Sequence, residues 1–317
     1  MPPPDNDLLA NSSHEQEEPL LRTPTRHYES FLANPHGVKK SRRHKTNNGN
    51  SRSWSDYLNT KITTRYTDLV LIFCFGVSGM IDSGAYNAYT CFMNSSCILQ
   101  TGNTIFAALG VSNLPAQQPR YAWTKSVASI LAYLFGALVF SNFHRFVGER
   151  KRWAFASSFL VQAGVTLIAA ILVGNRSVSG SPVSPPFSAS TIPEDPGFPW
   201  TDLIPIALLA FQASGKVAAS RILGWNGLPT VVLTSLYSDF MGDPGLLAGP
   251  FANATRNRRL AAIIFYFGGA VAAGPLVKSG PGFSGLLYVA VGMKFGVVLS
   301  WILWPEEKEE QGDEEGN

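Results

Sequence analysis

The stretch S-C-I-L-Q-T-G-N-T-I-F-A-A-L-G, Ser96–Gly110, is apolar at its flanks and polar at Gln100-Thr101-Gly102-Asn103. The flanks suit a bilayer. The tetrad does not, because Gly weakens a helix interior and Thr and Asn offer the backbone local alternatives to helical bonding. How the chain treats this segment sets the number of membrane crossings, and so the fold.

A membrane-spanning helix needs about 20 predominantly apolar residues. Outward from the tetrad, five runs meet that need: Leu69–Tyr89, Ser126–Phe146, Trp153–Val173, Ala261–Val277 and Phe283–Trp304. A sixth, Leu203–Leu223, carries Lys216 and Arg221 near its end. Two weaker runs are interrupted: Phe92–Val111 by the tetrad, and Leu228–Leu247 by Ser235, Asp239 and Pro244. Trp123, Trp153, Trp200, Trp301 and Trp304 lie near run ends, where interfacial aromatics belong. Of the 317 residues, 45% are hydrophobic and 15% charged, against about 25% charged in soluble domains. The net charge of +3 is a local matter. Basic residues beside apolar runs point to lipid headgroups and away from nucleic acid.

Charge orients the runs, since cytoplasmic loops carry the excess of Lys and Arg. Lys61 and Arg65 place the N-terminus in the cytoplasm, and so do His144-Arg145 to Arg150-Lys151-Arg152 and Arg256 to Arg259 for their loops. Two cytoplasmic points require an even number of crossings between them, yet three apolar runs separate the leader from the Arg150 loop. The run holding the tetrad is the one to fold back, and Leu228–Leu247 does the same in the second half. Six crossings with two re-entrant segments follow. Eight full crossings would put the Arg150 loop outside, against the charge rule.

The two interrupted runs belong to a repeat. C-I-L-Q-T-G-N-T-I-F aligns with T-V-V-L-T-S-L-Y-S-D, pairing Thr101 with Thr234. Without gaps, A-Y-L-F-G-A-L-V then meets F-Y-F-G-G-A-V-A, pairing Tyr133 with Tyr266 and Gly136 with Gly269. The same register sets Asp82 opposite Gly215, beside Lys216. Three crossings per half make the second copy inverted, a recurring transporter plan. The expected fold is therefore all-α: a polytopic transmembrane bundle of six to eight segments with a pseudo-repeat and two broken or re-entrant segments. Residues 1–67 read as a disordered cytoplasmic leader. The membrane domain is 68–304, with repeats at 68–173 and 201–304 about an outer loop at 174–200. Residues 305–317 form an acidic tail, expected in the cytoplasm.

Polar groups at membrane depth are costly and therefore informative. Asp82, in F-G-V-S-G-M-I-D-S-G-A-Y, is a proton or cation site or a carboxylate that caps a broken helix. Lys216 either pairs with Asp82 or snorkels to the cytoplasmic surface, the latter being the preferred reading. Gln100, Thr101, Gly102 and Asn103 are candidates to line a cavity, or else form a polar helix contact. Thr230, Thr234, Ser235 and Asp239 are their second-half counterparts. Asn175-Arg176-Ser177 is an acceptor triplet for glycosylation on the outer loop. Cys74, Cys91 and Cys97 lack metal-ligand spacing and read as small apolar residues, with a Cys91–Cys97 disulfide as an alternative. His144 reads as part of a solvated loop. No hydrolase signature and no Gly-rich phosphate loop is present, so neither an enzyme, a metal site nor a cofactor is expected. The bilayer is the expected partner, with a small solute or proton as the candidate ligand. A membrane scaffold or sensor is the alternative to a transporter.

Gly79-x-x-Asp82, then Thr101-Gly102-Asn103, then Ala210-Phe211-Gln212-x-x-Gly215 and Pro229-Thr230-x-x-Leu233-Thr234 together resemble the YoaK family, labelled domain of unknown function 1275. The resemblance covers about Thr67 to Trp304. It implies a polytopic membrane protein of the inner or plasma-membrane type without an established substrate. The chain departs from the family pattern at Thr234-Ser235, where a second T-G is common, and at Lys216, where an uncharged polar residue is usual. The long leader and the insert at 174–200 resemble fungal-type members.

Overall fold

The computed structural model describes residues 53–90, 100–113, 121, 123–148, 150–175, 200–225 and 233–307. Among them are nine α-helices and no strand beyond two isolated bridges. They are α1 (Trp54–Asn59), α2 (Thr67–Thr90), α3 (Gln100–Val111), α4 (Trp123–Val147), α5 (Arg152–Gly174), α6 (Leu203–Ile222), α7 (Leu233–Met241), α8 (Ala254–Lys278) and α9 (Gly282–Ile302). A single 3₁₀ turn, Trp200–Asp202, leads into α6. Six helices are long and apolar enough to cross a membrane: α2, α4, α5, α6, α8 and α9. The six expected crossings coincide with them. The two interrupted runs hold the short helices α3 and α7.

Contacts at the helix ends give the topology. At one end, which we call the basic end, the start of α2 meets the finish of α6 through Trp225 Nε1 donating to Thr67 Oγ1 at 2.7 Å. It also meets the start of α8 through Arg258 Nε and Asp68 Oδ2 at 2.6 Å. Arg152, at the start of α5, donates to the carbonyl of Trp304, just past α9. At the opposite end, the N-terminus of α4 meets that of α6 through Lys125 Nζ and Asp202 Oδ2 at 2.8 Å. Lys125 also lies over the ring of Tyr89, near the finish of α2. The finish of α2 and the start of α4 thus share one end, so α3 adds no net crossing. By the same reasoning α7 adds none. The first half crosses in three alternating passes, and the second half repeats them upside down.

Exchanging the halves preserves the packing. α2 lies against α8, and its repeat mate α6 lies against α4; α5 packs on α6 as α9 packs on α2; α3 rests on α4 as α7 rests on α8. α5 and α9, each other's mates, pack together. Burial follows the same symmetry: the spans of α2 and α6 are 78% and 67% buried, those of α4 and α8 only 22% and 11%. The central pair carries the polar groups, and the outer pair presents Leu131, Leu134 and Phe135, or Ile264, Phe265 and Phe267, to the lipid.

The repeat register of 133 residues holds at individual contacts. Asn103 Nδ2 donates to Ser129 Oγ at 2.9 Å; their mates, Leu236 and Ala262, sit together in one apolar cluster. The ion pair Lys125–Asp202 has its counterpart in Arg258–Asp68 at the other end, with Asp68 one residue off register. Small residues let the paired helices approach. A Cβ on Gly136 would collide with the Phe211 carbonyl of α6, and one on Gly269 with the Gly76 carbonyl of α2. Close backbone approach of this kind is how membrane helices gain packing energy, since lipid is as apolar as a Leu side chain.

Three expectations need correction. The folded body reaches back to about residue 53, ahead of the expected disordered leader's end at 67: α1 and the segment after it are built into the basic end. Tyr57 Oη donates to the Ile302 carbonyl at 2.9 Å, and Lys61 and Ile62 form bridges to Lys151 and Glu306. Residues 305–307 are accordingly part of this body. His144 is buried in the last turn of α4, 5.0 Å from the Phe155 ring, instead of lying in a solvated loop. Among the described residues, neither of its ring nitrogens has a hydrogen-bond partner.

Candidate functional site

The site is built from the central helices. Along α2, Ser78 and Asp82 lie one turn apart on one face. Asp82 is buried, and Tyr266 Oη of α8 donates to its Oδ2 at 2.8 Å. Lys216 of α6 is 1% exposed and donates to Ser78 Oγ, which itself donates to the Cys74 carbonyl at 2.8 Å. The preferred snorkelling of Lys216 is therefore incorrect. The reason is directional. A helical side chain leans toward the N-terminus of its helix, and that of α6 lies at the end opposite the basic surface. Lys216 is about 9 Å inside the basic end of α6 and is aimed further inward. It meets Ser78, one turn from Asp82, rather than the carboxylate itself, though it is within electrostatic reach of Asp82.

A second buried lysine of this centre was missed in the sequence. Lys294 of α9 is 2% exposed; its Nζ donates to Gln212 Oε1 at 2.7 Å and, more weakly, to Gln162 Oε1 at 3.5 Å. The signal was present: a lysine near the middle of the Phe283–Trp304 run carries the same cost as Lys216. Gln162 of α5 and Gln212 of α6 are fully buried, and Gly215 makes room for the Gln162 amide. Gln212 and Lys216 are one turn apart, so both lysines serve one polar centre where α2, α5, α6 and α9 meet.

The tetrad lies elsewhere. Gln100-Thr101-Gly102-Asn103 is the first turn of α3. Gln100 and Asn103 both reach Ser129 of α4, at 3.4 and 2.9 Å, and Thr101 is exposed. α3 packs on α4. In the second half, Thr234 and Asp239 are exposed on α7, Ser235 is half-buried, and the Asp239 carbonyl accepts from Arg259 at 2.9 Å. The structure thus brings Asp82 and Lys216 to a common centre, whereas among the described residues the tetrad bonds to α4 and α7 packs on α8. Thr230, Cys91 and Cys97 lie outside the described residues. Cys74 is buried as a small apolar residue. Asn175 is exposed just after α5, at the end opposite the basic one. A lipid-facing groove between α4 and α6, lined by Ala132, Phe135, Leu208 and Phe211, is apolar. Among the described residues no cluster of His, Cys, Asp and Glu has the makings of a metal site.

The arrangement can therefore hold charge and polarity at depth, between two inverted halves, with donors in excess of acceptors. No curated protein and no solved structure matches the chain. A family profile does, over residues 70–300, which spans α2 to α9 almost completely, and the chain belongs to that family, described as a protein of unknown function, DUF1275.

Proposed function

We propose that this integral membrane protein is a small-solute or ion transporter whose site lies between its two inverted halves. The observation that carries the reading is the burial of three ionisable side chains, Asp82, Lys216 and Lys294, where helices of both halves meet. Each is expensive in a bilayer, and such groups mark solute and ion pathways. Inverted repeats about a mid-depth polar site support alternating access, with one half rocking against the other. The lack of hydrolase motifs supports a non-enzymatic role.

The basic end carries Lys61, Arg65, Arg145, Arg150, Arg221, Arg256, Arg258 and Arg259, which supports a cytoplasmic placement of both termini. Asn175 then faces the outer or lumenal side. The leader and the 174–200 insert support a place among YoaK-type, fungal-type members, in the plasma membrane or an endomembrane.

The test is uptake into liposomes by the purified chain under an imposed proton gradient, with Asp82→Asn beside the wild type. The asparagine keeps the Tyr266 hydrogen bond and removes the charge. We expect at least a tenfold loss of the gradient-driven flux; an unchanged flux would overturn a mechanism centred on Asp82. A membrane scaffold is the second reading, favoured by the use of Gln100 and Asn103 as glue between α3 and α4. It predicts no flux for any solute.

A further inference from the structure

The geometry points to a buried binding site for a small monovalent anion, formed by Lys294, Lys216, Gln162 and Gln212. The inference deepens the transporter reading by naming the class of solute, and it rests on that reading for its physiological role.

The centre is short of acceptors. Lys294 uses the carbonyl oxygens of both glutamines, which fixes their amide orientation. Among the described residues, Gln162 Nε2 and Gln212 Nε2 are buried donors without a partner, and Ser158 Oγ, one turn before Gln162 on α5, has none either. Each ammonium carries three N–H groups. Only Gln212 lies at a short distance from Lys294, and Lys216 meets Ser78. A buried donor left unmatched costs about 1–3 kcal/mol. Two amide N–H groups, which only donate, beside two lysines that donate to glutamine and serine oxygens, call for a ligand that accepts.

The charge count agrees. Lys216 and Lys294 lie within electrostatic reach of each other, and Lys216 within reach of Asp82. With Lys216 and Lys294 both protonated and Asp82 ionised, these three groups would carry an excess of one positive charge in a low-dielectric interior. Desolvation makes an uncompensated charge there very costly. One bound anion cancels the excess and accepts from the free amides. A cation would add to that excess and would meet the Gln162 and Gln212 amide N–H groups, which only donate. The side chains at this centre are 0–2% exposed, so the anion is held in an occluded state, as alternating access requires.

The test uses the purified full chain in detergent, with chloride, acetate or phosphate titrated at constant ionic strength made up with a bulky sulfonate salt. A monovalent probe, chloride or acetate, is expected to raise the wild-type melting temperature saturably, by about 5 °C or more at a hundred times its Kd. Gln212→Leu, a neutral substitution of similar volume, is expected to weaken that probe at least tenfold, and Lys294→Met to abolish the shift. Arg221→Gln, on the exposed surface of α6, leaves it unchanged. If Lys294→Met does not fold, Gln212→Leu carries the comparison. A wild type indifferent to all three probes, or a shift that Gln212→Leu and Lys294→Met leave intact, overturns the site. Saturable binding of an anion that liposomes never take up keeps the site and overturns transport. Uptake of a solute by a chain that no anion stabilises does the reverse.

Discussion

Arg152 is the residue on which the termini of the membrane domain converge. Its guanidinium donates to the Tyr57 carbonyl at 2.6 Å, to Thr60 Oγ1 at 2.8 Å and to the Trp304 carbonyl at 2.6 Å, and it stacks 3.8 Å from the Tyr57 ring. A planar fork can serve all of these at once; an ammonium cannot. Arg152→Ala is expected to cost about 3 kcal/mol or more, because acceptors lose a charged donor while partly or fully buried. Arg152→Lys should recover about half of that loss. Thermal unfolding in detergent would check the order, and equal stability of the lysine variant and the wild type would show that the fork is not what holds the termini. In sequence, Arg152 reads only as one of several basic residues in a loop. A loop charge and a buried clamp look alike until the partners are known, because all of Arg152's partners are far along the chain.

Helix pairs are where the inverted repeat has energetic consequences. A Cβ on Gly79 would overlap the Tyr266 carbonyl, whereas a Cβ on Gly268 meets nothing within 4 Å. Gly79→Ala should therefore force α2 and α8 apart at a cost of about 1–3 kcal/mol. Gly268→Ala should be neutral or slightly stabilising, as Ala is the better helix former. Denaturation midpoints of the two variants make the comparison, and matching losses would contradict the close packing of this pair. The paired ion bridges also differ in burial. Lys125 and Asp202 side chains are 8% and 4% exposed, whereas Arg258 is 33% exposed over Asp68. Removing one partner of a buried pair strands the other charge, so Lys125→Met should cost about 3–5 kcal/mol. Arg258→Met should cost clearly less, since solvent already screens that pair. The six long helices were legible in the sequence because each is a continuous apolar run. The helix-pair contacts were not, since glycines at a close approach look the same as glycines facing lipid.

For the molecule as a whole, the crossing number is the decisive quantity. Single cysteines at Arg145 and Gly242 should react with a membrane-impermeant thiol reagent from one side, and at Ser112 and Ser279 from the other. All four positions are exposed, and the contacts place them at opposite ends of the bundle. Oriented membranes with Cys74, Cys91 and Cys97 replaced would give the answer; labelling of Arg145 and Ser279 from the same side would rule out the six-crossing arrangement.

What the sequence determined by itself is the set of spans, the two interrupted segments and the 133-residue register, all consequences of hydropathy and spacing along the chain. The even-crossing argument from charge also needed nothing more. Only the tertiary structure decided what the interruptions are for. The tetrad that looked like a cavity lining is the first turn of α3 and holds to α4 through Ser129. The polar centre is made instead by Asp82, Lys216, Lys294, Gln162 and Gln212, from four helices and both halves. The physical reason is that a polar residue in an apolar run announces its desolvation cost in sequence, but the partner that offsets the cost is chosen by helix direction and packing. Lys216 shows this most directly: its position fixed the expense, and the inverted direction of α6 turned the side chain inward.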